Sequence, residues 1–106
     1  MAGQDARSRR ATAVAAAGRL TGTVKLGGDP SAQAWYVMLL DIRDVLGSPA
    51  SDEQALEEAA AMFRELYKTP RNFSDFYIWR EDEVTRIREN EQFDNDVRTL
   101  QESLNA

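Results

Sequence analysis

The stretch Asp29–Tyr67, DPSAQAWYVMLLDIRDVLGSPASDEQALEEAAAMFRELY, decides the fold class. Asp29-Pro30 offers a helix cap followed by proline at the first helical position, where its missing N–H costs nothing. From there Trp35, Met38, Leu39, Ile42, Val45 and Leu46 recur at helical spacing and form one apolar stripe. Val37 and Leu40 lie off that stripe, so the middle of this helix is apolar around much of its circumference and reads as central. Gly47 stops it, and Ser48-Pro49 makes the turn.

Ser51-Asp52-Glu53-Gln54 then reads as a capping box, in which the first and fourth side chains serve each other's exposed amides. Leu56, Ala59, Ala60, Phe63, Leu66 and Tyr67 repeat the helical stripe, with Glu57, Glu58 and Glu65 outside it. Thr69-Pro70 ends the second helix. So short a connection between the two predicts an antiparallel pair.

Toward the C-terminus a longer segment, from about Asp75 to about Leu104, is also helical in pattern, with Asn72 or Ser74 as its cap. Phe93, Val97, Leu100 and Leu104 share one face, whereas Val84 and Ile87 project from nearly the opposite side. One straight helix cannot bury both sets against a single neighbour. Either it kinks within Arg88–Gln92, or its C-terminal half packs on the N-terminal segment or on a second molecule. Asn90, Phe93, Val97, Leu100 and Leu104 keep a 3-4-3-4 rhythm for about two heptads, which admits a closing helix of the chain's own bundle or a homodimer seam.

Toward the N-terminus the pattern fades. Residues 1–28 hold five basic residues (Arg7, Arg9, Arg10, Arg19 and Lys25) against Asp5 alone, a local +4 in a chain of net charge −5, which leaves −9 for the rest. Thr21–Gly28 has β-branched residues and closes on Gly27-Gly28, but a lone strand has no partner, so it reads as a linker. The expectation is a flexible basic tail and linker over 1–28 and a helical domain over 29–106. Such a tail binds an anionic partner or folds back on its own acidic surface. Ser8-Arg9-Arg10 resembles a twin-arginine signal, but Ala13–Ala17 is too short an apolar run to complete one. No run approaches the 18 apolar residues of a membrane span, so the expected location is the cytoplasm.

The fold class expected is therefore all-α: a small three-helix bundle or helical hairpin with a long C-terminal helix and a poorly ordered basic N-terminal tail. At 106 residues it is one domain. The excess of 11 arginines over 2 lysines, with abundant alanine, is the mark of a GC-rich coding sequence and points to a bacterial source.

Chemistry is constrained by what is missing. With no cysteine there is no disulfide or thiolate, and with no histidine the usual general base and zinc ligand are gone. Acid–base work would fall to Asp, Glu, Lys or Tyr. Phe73-Ser74-Asp75-Phe76-Tyr77-Ile78-Trp79-Arg80 concentrates four of the nine aromatic residues. Aromatic side chains with arginine dominate binding hot spots, because they bury large areas at small entropic cost. Phe73, Phe76, Tyr77, Trp79 and Arg80 are thus the candidate partner-binding residues. The competing reading has Phe76 and Trp79 closing the end of the core, with Tyr77 and Arg80 left exposed.

The carboxylates carry the alternative. Helical nucleotide pyrophosphohydrolases hold magnesium through E-x-x-E and E-x-x-D pairs between helices, and Asp41 and Asp44 resemble such a pair loosely. Glu57-Glu58 and Glu81-Asp82-Glu83 do not complete the pattern. Asp94-Asn95-Asp96-Val97 resembles the D-x-D-x-V motif of haloacid-dehalogenase-type phosphatases, but lies in a charged helical stretch rather than at the end of a strand. Tyr77-x-x-x-Glu81 fits a Y-x-x-x-[DE] secretion pattern without its Trp-x-Gly turn. The functional expectation is a non-enzymatic, protein-binding regulatory protein, adaptor-like or of the immunity or antitoxin kind, with no cofactor. A magnesium-dependent pyrophosphohydrolase and nucleic-acid binding through the basic tail are the alternatives.

Overall fold

A computed structural model describes residues 5–26, 32–69 and 72–105. Among these, four α-helices and one short 3₁₀ turn account for the regular structure, with no strand. The helices are α1 (Ala6–Leu26), α2 (Ala32–Leu46), α3 (Asp52–Glu65) and α4 (Glu83–Leu104), and the 3₁₀ turn is Phe73–Asp75. The all-α class and the long C-terminal helix are as expected.

The N-terminal segment requires a correction. Residues 6–26, read as tail and linker, form a 21-residue helix that packs against α2, α3 and α4. Ala13, Ala16, Ala17 and Leu20 have no exposed surface at all, and Val24 is buried one turn further on. Residues 1–4, 27 and 28 of the expected tail and linker lie outside the described residues, as does the expected Asp29-Pro30 cap. Alanine is the strongest helix former, and a stripe of small side chains lets neighbouring helix axes approach closely. The same smallness hides the stripe in the sequence. Against a background of Thr, Gly and Ala, three alanine methyls give little amphipathic contrast.

Arginines fix the direction of α1. Arg9 Nε donates to the Ser103 carbonyl at 3.0 Å, at the C-terminal end of α4. Arg10 donates to the carbonyls of Leu46 (2.7 Å), Ser48 (2.6 Å) and Ala50 (2.8 Å), and pairs with Asp52 at 3.1 Å. Its guanidinium therefore closes the C-terminal end of α2 and the whole turn into α3. Both cations sit where the helix dipole is negative. Halfway along, Arg19 Nε meets Asp96 Oδ1 at 2.9 Å, so α1 runs antiparallel to both α2 and α4. Of the two fates open to the basic segment, folding back on its own surface is the one observed for these three arginines.

Elsewhere the punctuation holds. Gly47 follows the end of α2, and Ser51 Oγ accepts the Gln54 N–H at 3.2 Å, which forms one half of the expected capping box. The third expected helix is broken, but before Arg88–Gln92. Asn72 caps the 3₁₀ turn, residues 76–80 leave it in no helix with Phe76 extended, and Asp82 starts α4 by accepting the Thr85 N–H at 2.8 Å. Phe93, Leu100 and Leu104 join the core beside α1, so the 3-4 rhythm is an intramolecular seam. Val84 and Ile87 stay exposed.

Candidate functional site

Phe73 and Phe76 belong to the core. Phe73, 2% exposed, sits with its ring centroid 5.9 Å from Trp35, 6.0 Å from Tyr67 and 5.5 Å from Phe93. Phe76 packs at 4.9 Å on Phe93 and 6.4 Å on Trp35. Edge-to-face and tilted pairs of this kind contribute beyond the area they bury. Phe73 accordingly leaves the candidate surface, and half-buried Phe76 serves as its foundation.

Past Phe76 the side chains alternate between outside and inside. Tyr77 is 58% exposed, Ile78 is buried, and Trp79 is 66% exposed. Period-two alternation of this kind is the mark of an extended chain. Trp79 does not close the core.

What holds this segment is a side chain absent from the sequence-level candidates. Asn90 on α4 accepts the Ile78 N–H on Oδ1 at 3.0 Å, and its Nδ2 donates to the Ile78 carbonyl at 2.9 Å. The same Nδ2 lies 2.8 Å from the Arg86 carbonyl of its own helix. A terminal amide has one donor and one acceptor in the arrangement that a main-chain partner would present, so Asn90 stands in for a neighbouring strand.

Two charged residues of α4 complete the surface. Arg80 Nε pairs with Glu89 at 2.9 Å, and Arg80 also donates to the Trp79 carbonyl at 2.8 Å. Arg86 stacks 4.8 Å from the Trp79 ring centroid and donates to the Arg80 carbonyl at 3.2 Å. Stacking over the indole face fixes the ring while leaving most of it in solvent. Arg86, Glu89 and Asn90 fall three and four residues apart on one helix, which puts them along one edge of α4. That spacing is the signal that finds them, once the extended segment is known to lie there.

Beside this surface opens a groove of about 200 Å³ lined by Thr23, Leu26, Ile78, Arg80, Glu89, Gln92 and Phe93. Leu26, at the end of α1, is 77% exposed at its mouth. The lining is mostly apolar with one ion pair at its rim, which suits the binding of a side chain.

The carboxylates weighed as metal ligands are distributed otherwise. Asp41, Asp44, Glu57 and Glu58 lie on exposed faces, and Asp82 is occupied as a helix cap. Among the described residues no three acidic side chains converge in a way that would hold a metal ion. Asp96 is buried, and both Arg19 and Gln92 donate to its Oδ1. It is a structural counter-ion inside the α1–α4 interface. No helix among the described residues is long and apolar enough to cross a membrane. Comparison with protein-family models, with curated proteins and with solved structures finds no match.

Proposed function

We propose that this chain is a protein-binding module, adaptor-like or regulatory in kind, whose docking face is the Tyr77–Trp79–Arg80 surface backed by Arg86. The observation that carries this reading is Trp79: a tryptophan two-thirds exposed, yet held in place by a stacked guanidinium on a segment pinned to α4. An exposed indole gives up apolar contact with the core, and a pre-ordered one loses little entropy when a partner covers it. The groove at Leu26 and Ile78 supplies the neighbouring pocket that aromatic anchors commonly accompany. An immunity or antitoxin role is one form such a module takes.

The alternatives draw less support. A pyrophosphohydrolase needs converging carboxylates, and the candidate ones are dispersed. Nucleic-acid binding through the N-terminal segment needs a cluster of free cations, whereas three of its five, Arg9, Arg10 and Arg19, are engaged within the chain.

The test is quantitative affinity capture from extracts of the native host with wild-type, Trp79→Ala and Arg80→Ala proteins. Loss of the same partner from both variants is the expected result. Equal recovery by all three removes this face from consideration.

A further inference from the structure

We infer that the outer edge of Phe76–Arg80 receives an extended peptide segment of the partner, paired strand to strand, with an apolar centre and basic flanks. The inference rests on the reading of this face as a docking surface and adds to it the mode and chemistry of the occupant.

Main-chain geometry comes first. In an extended chain, successive residues direct their N–H and C=O groups to opposite edges. Both groups of Ile78 point at Asn90 on α4. Those of Tyr77 therefore point away from α4, and among the described residues they meet no hydrogen-bond partner. One edge is thus closed by a side-chain amide; on the other the Trp79 carbonyl already accepts from Arg80, and Tyr77 is the open position. That is the requirement for strand addition, in which main-chain bonds give affinity and alternate side chains give selectivity. Tyr77 and Trp79, two residues apart and both exposed, fall on the same side of an extended chain and offer two aromatic surfaces beside this edge.

Charge selects the occupant. Exposed Asp75 precedes the segment, and exposed Glu81, Asp82 and Glu83 follow it. Of the nearby cations Arg80 is paired with Glu89, and Arg86 and Arg88 act on Asp82, yet the carboxylates Asp75, Glu81, Asp82, Glu83 and Glu89 outnumber the three arginines. Both ends of the open edge are therefore acidic, which favours lysine or arginine on either side of the peptide's apolar centre. A second copy of this chain would bring the same acidic ends against each other, on a molecule of net charge −5. Charge argues for the basic peptide.

The test begins with a random peptide display library selected on the full-length protein. Enriched peptides should be apolar at the centre, basic at the flanks and free of proline at the centre. Enrichment of acidic or proline-centred peptides, or none above background, overturns the inference. An enriched peptide is then titrated by fluorescence polarisation against Tyr77→Pro and Tyr77→Ala. Phe76 has φ −66° and ψ 132°, which already suits a residue before proline, so Tyr77→Pro removes the N–H without displacing its neighbour. The proline variant should bind about tenfold more weakly than the alanine one. N-methylation along the peptide is read in parallel and needs no folded variant; the amide that faces Tyr77 should be sensitive, and uniform insensitivity overturns strand pairing.

Trp79→Ala separates the two levels. If it abolishes binding while Tyr77→Pro and N-methylation are neutral, the docking face stands and the strand mode falls. If no variant changes binding, the docking face falls as well. A dimer seen by sedimentation that Tyr77→Pro dissociates assigns the edge to a second copy and overturns the peptide assignment.

Discussion

Asn90 grips Ile78 by both of its main-chain groups, one hydrogen bond at 3.0 Å and the other at 2.9 Å, across 12 residues of sequence. No other side chain among the described residues holds both main-chain groups of a residue in the 76–80 segment, so this amide is its main-chain anchor to α4, beside the side-chain ties of Arg80 and Arg86.

Replacing it is the most direct check. Asn90→Ala leaves a buried N–H and carbonyl at Ile78 without their partner, a loss of about 1–3 kcal/mol. Denaturant unfolding should show that loss, and hydrogen exchange should show the Ile78 amide exposed well before the core of α4. A wild-type exchange rate at Ile78 in the variant would contradict the assignment.

Arg10 makes a second case. Its guanidinium serves three carbonyls and Asp52, and its side chain is only 16% exposed. Arg10→Ala should destabilise the fold by about 2–3 kcal/mol, since the C-terminal carbonyls of α2 lose a charged donor. Arg10→Lys should recover less than half of that, because one ammonium cannot reproduce a planar fork. Full recovery by lysine, read from melting temperatures, would mean that charge alone matters there.

Two glycines test the helical state of the N-terminal segment. A Cβ built at Gly18 or Gly22 of α1 meets nothing within 4 Å. Within a helix, Gly→Ala at an open position stabilises by about 0.5–1 kcal/mol. Gly22→Ala should therefore raise the melting temperature by several degrees. In a flexible tail the same substitution would leave it unchanged.

Acid sensitivity should reside partly at the start of α4. Hydrogen bonds from the Thr85 hydroxyl and then its N–H hold the Asp82 carboxyl below its ordinary value of 3.8. A lowered folded-state value means that the ionised group favours the folded state, fully above the unfolded value, and that this contribution fades as pH falls through the folded one. The melting difference between wild type and Asp82→Ala should thus be constant near neutrality and shrink below pH 3.8. A difference that grows on acidification would assign the cap's strength to something other than its charge.

How far the sequence could be read depended on side-chain size. Trp35, Leu39, Ile42 and Leu46 announced α2 because large apolar groups stand out against Asp, Arg and Gln, and all four are buried as their spacing required. α1 went unrecognised because alanine methyls make a buried stripe of low contrast, and because five cations suggested solvent. The mismatch between Val84/Ile87 and Phe93/Leu100 was legible as a conflict. Its resolution, with the first pair left in water and the second set against α1, depends on a neighbour the sequence did not declare. At the candidate face Tyr77 and Trp79 could be named from composition. Asn90, Glu89 and Arg86 could not, since their role depends on an extended segment that local periodicity assigns to a helix.

The bond from Arg9 to Ser103 joins residues 94 positions apart and brings the opening of the chain against its close. The alanines of α1 are therefore covered in part by a helix that lies at the far end of a long loop. Closing such a span is slow relative to local helix formation, so α1 forms before the face that buries it is in place, and its docking against α4 is a late step of folding.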